Sequence, residues 1–303
     1  MPGVSNARHL GQVWKRATAG EYRGVTRTAY TQPVKTVVLI GLLVLAAPVP
    51  TPAQFWKKLP SAKPGEWRHR HFEKPQTLKA YRAAQPVRPT EKRTVIYLLP
   101  ALTRPTYEPD RIEHLAELMR AYFGRTVRVL KPTPLPRHAY DRKRRRFSVR
   151  ACLPFLKRTL PADGIFLLAV TDRDIRLPHS RFTYGWGSMK HRIGICSTWR
   201  VDWGKTPEIQ RKRIYGLALH ECTHMLSVPH CTERQCLMNG AMDVREADRR
   251  PLLLCWECRD KLCWNLALDP LKRYDALEAA WRAAGVPTVA ARARLAKAVT
   301  GNK

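Results

Sequence analysis

Between Ala218 and Asn239 the chain concentrates residue types that hold metals: His220, Glu221, His224, His230, Cys231, Cys236 and Met238. His220-Glu221-Cys222-Thr223-His224 fits HExxH, and a third imidazole, His230, follows six residues after the second. On a helix, side chains four apart share a face, so His220 and His224 can aim ring nitrogens at one point about 2.0–2.1 Å from a Zn²⁺. Glu221 lies beside that face, where a carboxylate reaches a water without being a ligand. Three protein ligands leave the fourth tetrahedral position to water, the arrangement of a catalytic rather than a closed site. HExxH alone arises by chance on many charged helices. The third His at this offset makes the pattern specific, against the bland reading of a pair of core or surface imidazoles.

The cysteines are clustered beside this motif. Cys231 and Cys236, then Cys255 and Cys258, make Cys-x4-Cys and CxxC halves separated by 18 residues. Four thiolates so spaced can close a tetrahedral structural zinc site and tie the loop after His230 to the next helix. Because Cys231 adjoins His230, that second metal would also hold the third ligand of the first. Two disulfides are the competing reading, open to an exported protein; CxxC bridges are strained and usually redox-active, which favours zinc. Cys263 stands nearby as a substitute ligand, and Cys152 reads as a small core residue.

Taken together, His220 to His230, Cys231, Cys236, Met238 and the pair Cys255 and Cys258 resemble the archaemetzincin family of metallopeptidases. The likeness extends upstream to Val170-Thr171-Asp172-Arg173-Asp174 and Phe182-Thr183-Tyr184-Gly185, and it covers about residues 94–270. The resemblance implies an α+β, metzincin-like fold: a mixed twisted sheet with backing helices, a zinc helix, and a small helical C-terminal subdomain with a cysteine-ligated structural zinc. It makes Met238 the methionine of the Met-turn, shaping the floor of the zinc site, and it makes the segment near Phe182 the sheet edge that presents substrate. One position departs from the family, which has Gly three residues after the second His where this chain has Ser227. A left-handed Ser227 is expected, at a cost of roughly 1–2 kcal/mol for its Cβ, and Ser227→Gly is then expected to stabilise; a helical Ser227 with the turn moved to Val228-Pro229 is the alternative, and Gly would then destabilise.

The positioning elements follow from periodicity. Thr94–Leu99, Thr126–Leu130 and Gly164–Val170 read as strands, β-branched and apolar. Pro109–Phe123 and Ser148–Leu160 read as helices, the second capped by Ser148 and kinked or delayed by Pro154. Arg181–Gly187 and Arg192–Cys196 read as an extended pair across a polar turn, and an open edge there would bind an extended peptide through its backbone. Thr206, Pro207 and Glu208 open the zinc helix as N-cap, first helical residue and dipole partner. Asp172 and Asp174 are acid–base candidates by type, but a structural role at a strand end, on loop amides or a calcium, is the preferred reading.

Upstream, the apolar run Val37–Ala47 is too short to span a membrane and suits a signal-peptide core, with Thr51 and Ala53 at the cleavage positions; a buried helix or strand is the alternative. The expected division is a basic leader with this segment over residues 1–53, a Pro-, Lys- and Arg-rich linker or loosely packed arm over 54–92, a peptidase domain over 93–270 and a helical extension over 271–303. Export or membrane association through the apolar run is expected, with the cytoplasm as the alternative.

With 303 residues, 44% of them hydrophobic and 26% charged, the chain has ordinary globular usage. Its charge is unusual: 55 Lys and Arg against 24 Asp and Glu leave a net +31. No nucleic-acid motif accompanies that charge, so a dispersed basic surface is expected rather than a specific nucleic-acid partner, with Arg142–Arg146 as a solvated loop. The combined expectation is a monomeric zinc peptidase acting on peptides or proteins, with two zinc ions, water as nucleophile and Glu221 as general base. Two other classes stay open: an inactive zinc-stabilised binding protein, and a zinc hydrolase of non-peptide amides or esters.

Overall fold

The chain first forms an arm of three short helices, α1 (Pro52–Phe55), α2 (Trp67–Arg70) and α3 (Leu78–Ala83). Thr51 and Thr77 cap the first and third by accepting from the Gln54 and Ala80 amides. This is a computed structural model that describes residues 49–103, 109–178, 180–202 and 206–301, all within one compact unit, Ala47–Lys303. The apolar run Val37–Ala47 lies outside the described residues. No helix among them is long and apolar enough to cross a membrane.

The sheet and its first helices follow the periodicity: β1 (Val95–Ala101), α4 (Pro109–Phe123), β2 (Val127–Val129), the small hairpin β3 (Tyr140–Asp141) and β4 (Arg146–Ser148), α5 (Val149–Thr159), β5 (Gly164–Thr171), β6 (Ile175–Arg176), β7 (Gly185–Gly187) and β8 (Ile193–Ser197). The main sheet has the order β2-β1-β5-β8-β7 and is parallel except for the edge strand β7, which runs antiparallel to β8. Both faces are covered, so β1 and β5 are continuously apolar and buried along their length. The pleat sends Ile96, Leu98, Phe166 and Leu168 into a large core and Val95, Tyr97, Leu99 and Leu167 into a smaller one shared with α5. Ser148 caps α5 through the Ala151 amide, and the helix carries Pro154 inside it without breaking.

The remaining elements are α6 (Pro207–His224), α7 (Val244–Asp248), α8 (Trp256–Leu266), α9 (Pro270–Ala283) and α10 (Pro287–Gly301). The last two are more than an extension. Leu277, Trp281, Ala290 and Ala293 are buried in the same core as α4 and α6, with Gly285 at φ 69° making the turn between them.

The basic run Arg142–Arg146 forms the exposed turn of a hairpin between β3 and β4. Asp141 pairs with Arg144 and Arg176, and Arg146 reaches Asp174 at 2.6 Å. Asp174 also takes Arg200 in a two-bond clamp, and Asp172 accepts from the Thr103 amide and hydroxyl. Both aspartates therefore have the structural role preferred from sequence.

The arm is the larger correction, since the Pro- and Lys-rich composition suggested loose packing. Phe55, Trp56 and Tyr81 are buried in the main core. Lys58 bridges to Arg234, the Leu59 amide donates to Glu233 and the Gln235 amide donates to Lys57. Asn265 donates to the Tyr81 hydroxyl and the Val87 carbonyl. Phe55 and Trp56 are adjacent and Tyr81 stands 25 residues on, so the arm's aromatics have no period, yet all three are buried.

Candidate metal centres and substrate cleft

Helix α6 starts as its sequence dictates, with the Thr206 hydroxyl accepting from the Ile209 amide and Pro207 in the first turn. Ile214, Tyr215, Ala218, Leu219 and Cys222 bury its inner side, and His220, Glu221 and His224 are buried at its end. The chain then reverses at Ser227, whose φ of 63° is the expected left-handed conformation. The Val228 amide reaches back to the Thr223 carbonyl, closing the helix end and bringing His230 round. The Ser227 hydroxyl donates to the Met189 carbonyl at 2.8 Å and accepts from the Val87 amide at 3.0 Å, joining the arm to the loop after β7.

Three imidazoles meet there. His224 Nε2 is 3.1 Å from His220 Nε2 and 3.3 Å from His230 Nε2. Each Nδ1 has its own acceptor: the Leu237 carbonyl at 2.9 Å for His220, the Val228 carbonyl at 2.7 Å for His224, and the Glu73 carboxylate at 2.9 and 3.0 Å for His230. With the protons on Nδ1, all three Nε2 lone pairs face one another, and none can donate to another. Burial pushes His220 well below its ordinary pKa and takes His224 to about 3, so neither imidazole relieves the crowding by protonation. Ligands at about 2.0–2.1 Å from one tetrahedral ion lie about 3.4 Å apart. The donor set fits zinc in spacing, tautomer and charge state.

Glu221 stands beside this triangle and is not one of its corners. Burial drives its carboxyl up to about 8, against the opposing charge of Arg250 and the Gly187 amide. Strand β7 lies against it so closely that a Cβ on Gly185 would meet the Glu221 carboxyl at 2.7 Å and one on Gly187 the Glu221 carbonyl oxygen at 2.2 Å. The two glycines seen in Gly185-Trp186-Gly187 are what lets the sheet edge touch the helix. A cleft of about 1000 Å³ opens here, lined by β7, by α6, by Trp67, Arg70 and Glu73 of the arm and by residues 241–252.

The four cysteines also converge. Sγ atoms of Cys231, Cys236, Cys255 and Cys258 all lie within 4.8 Å of one another, and those of Cys231 and Cys255 are 3.7 Å apart. A tetrahedron with Zn–S bonds near 2.3 Å has edges of about 3.8 Å, whereas a disulfide needs about 2.05 Å; none of the eight cysteines is disulfide-bonded. Donation from the thiols of Cys236, Cys255 and Cys258 pulls the Cys231 thiol far below its ordinary range. Cys263 is buried on α8 outside this group. Between the two centres, Met238 is fully buried in the turn after Cys236, its carbonyl accepting from the Cys231 amide at 2.8 Å.

Sequence reading missed three residues of this region. Glu73 is the sole carboxylate between Glu66 and Glu91 in a basic stretch, and that isolation was the one available signal. Asn239 donates to the Cys231 and Arg234 carbonyls and accepts from the Cys236 amide, fixing the loop that carries two thiols. Arg250 lies in the cleft wall, its pKa lowered to about 10 by burial.

Comparison with known proteins agrees with this geometry. A profile of Peptidase family M54 matches residues 136–263. The archaemetzincin of Methanopyrus kandleri is 30% identical over 158 residues, covering 52% of this chain and 87% of the relative. Archaemetzincin-2 of Homo sapiens is 27% identical over 258 residues, 71% of each chain. In fold, the crystal structure of the Methanopyrus kandleri archaemetzincin matches with a TM-score of 0.52 at 26% identity, over 59% of this chain and 99% of that one. Its mixed α/β architecture is thus shared, and the chain belongs to the archaemetzincins, Peptidase family M54, as a zinc metallopeptidase.

Proposed function

We propose that this chain hydrolyses peptide bonds at the centre formed by His220, His224 and His230, with Glu221 as the general base. The observation that carries the reading is the convergence of three Nε2 atoms whose Nδ1 protons are all committed elsewhere, next to a buried carboxyl that is not in the ligand set. When bound there, zinc supplies Lewis acidity, lowering the pKa of water and polarising a carbonyl. The chain does the rest. Strand β7 is the edge of the sheet, and an extended peptide would pair along it beside α6. Glu221 accepts the proton of the attacking water through its carboxylate oxygen, and the same carboxyl then passes that proton to the leaving nitrogen. Its burial keeps the proton affinity high enough for both halves of that transfer. Met238 lies in a turn whose neighbour Leu237 accepts from His220, which supports a role in shaping the floor of the site. Cys231, Cys236, Cys255 and Cys258 would hold a second, structural zinc.

Glu221→Gln tests the assignment. Peptide cleavage should fall by about 10²–10⁴-fold while zinc content stays at the wild-type level. Loss of metal together with activity would move Glu221 into the ligand set, and metal-loaded wild type that cuts no peptide would make the chain a binding protein.

A further inference from the structure

Arg250 in the cleft wall has the charges of Glu221 and Glu246 nearby but is bonded to neither. Arg250 lines the cleft with His220, Glu221, Leu217 and Leu252. Its Nε is sealed from solvent and has no hydrogen-bond partner, and its guanidinium makes no hydrogen bond or ion pair with any described residue. Its neighbours differ: Arg249 pairs with Glu66 at 2.6 Å, and Arg213 is clamped by both oxygens of Asp248. The acids closest in charge are already used. Glu246 accepts from the Trp67 and Met242 amides, and Glu221 is the base proposed above.

Arg250 is half-buried, and a guanidinium whose Nε is sealed from water without a partner carries a desolvation cost that a ligand could offset. A carboxylate is the anion whose two oxygens match the guanidinium fork. The cleft it lines also carries the apolar side chains of Leu217, Val244 and Leu252, and a charged hydrogen bond is strengthened where water is partly excluded. Arg70 and Arg181, which also line the cleft, are exposed, adding positive potential along the approach.

We propose that Arg250 is a specificity-determining residue that binds a carboxylate of the peptide substrate next to the scissile bond. The enzyme then prefers substrates carrying an acidic side chain or a free terminal carboxylate at that place. This rests on the peptidase reading of the histidine centre. It does not require Arg250 to touch the reacting atoms.

The test uses full-length, zinc-loaded protein and quenched fluorogenic peptides in matched sets: Glu against Gln on either side of the cleavable bond, each as free acid and as terminal amide. Wild type should favour the carboxylate member by roughly ten- to a hundredfold in kcat/KM. The member that carries the preference, side chain or terminus, identifies the source of the carboxylate. Arg250→Met should bring the ratio to near one, and Arg250→Lys should keep part of it. Equal cleavage of both members by wild type overturns the proposal. So does an Arg250→Met variant that slows both members by one factor, because that outcome means Arg250 only adjusts Glu221 or the fold. Melting of Arg250→Met at or above the wild-type temperature is expected, since a half-buried cation with an unpartnered Nε has been removed; should that variant not fold, Arg250→Lys carries the comparison. If wild type cuts no peptide, the peptidase reading has failed, and fluorescence anisotropy of the same peptides still decides: acid bound more tightly than amide, and the difference lost in Arg250→Met, supports the clamp, while equal affinity overturns it.

Discussion

Glu73 shows how one carboxylate can bring a distant segment into a candidate metal centre. It accepts from His230 Nδ1 across 157 residues of sequence. Burial raises its pKa, but the hydrogen bond from His230 acts against that, and it ends below the ordinary Glu value. Partners of this kind fix ring orientation and ligand basicity, and their loss typically lowers metal affinity by about 10–100-fold. Glu73→Ala should therefore shed zinc to a chelator at that much lower concentration, with little change in the far-UV circular dichroism. His220 and His224 were legible because a helix repeats every turn, and His230 from its fixed offset after them; Glu73 was not, because contact across the whole domain leaves no local pattern. Ser227 divides in the same way. Its left-handed φ followed from the family position, while its hydroxyl partners on Met189 and Val87 did not. Those partners reverse the sign expected from backbone strain alone. Gly relieves roughly 1–2 kcal/mol of strain and loses about 0.5–1 kcal/mol of it again to unfolded-state entropy, yet it also gives up two hydrogen bonds of about 1 kcal/mol each. Ser227→Gly should thus melt slightly below wild type and Ser227→Ala, which keeps the strain, lowest of the three. A Gly variant above wild type would mean that the hydroxyl contributes nothing.

At the scale of elements, the site is where an edge strand and a helix end touch. The pairing of β7 with β8 was readable from two extended segments across a polar turn, and α6 from its cap and apolar stripe. What the sequence could not convey is the closeness of the contact, which is set by the absent side chains of Gly185 and Gly187. Gly187→Ala places a Cβ 2.2 Å from the Glu221 carbonyl oxygen, which is helix backbone and cannot swing away. The strand must retreat, costing on the order of 1–3 kcal/mol and shifting the peptide-binding edge from the histidines. We expect kcat/KM to fall by more than tenfold and the melting temperature to drop by several degrees, read by thermal denaturation and a peptide assay. Unchanged kinetics would remove β7 from the substrate path. The arm was the least legible element, because Phe55, Trp56 and Tyr81 are buried without any sequence period, and composition records only the polar residues between them.

For the whole molecule, the arm and the two candidate centres form one connected unit. Lys58 bridges to Arg234 in the loop between Cys231 and Cys236, Glu73 holds His230, and His230 is bonded to Cys231. Metal at the cysteines should consequently support the histidine centre, whereas the converse dependence is weaker: α6 is held by its buried side in the main core whether or not its end carries an ion. Elemental analysis of purified protein should give two zinc ions per chain. His220→Ala should retain one and melt close to wild type. Cys255→Ser should lose the other and fall well below it, because structural zinc binding worth about 10–16 kcal/mol is folding free energy and exceeds much of the roughly 5–15 kcal/mol that holds a domain together. The Ser variant should also hold the remaining ion less tightly, giving less than one zinc per chain after dialysis against a mild chelator. One zinc in wild type with paired disulfides in the mass spectrum would sink the second site. A Cys255→Ser protein that melts like wild type would show instead that the loop from Cys231 to Cys258 is held by packing and by Asn239 without any metal.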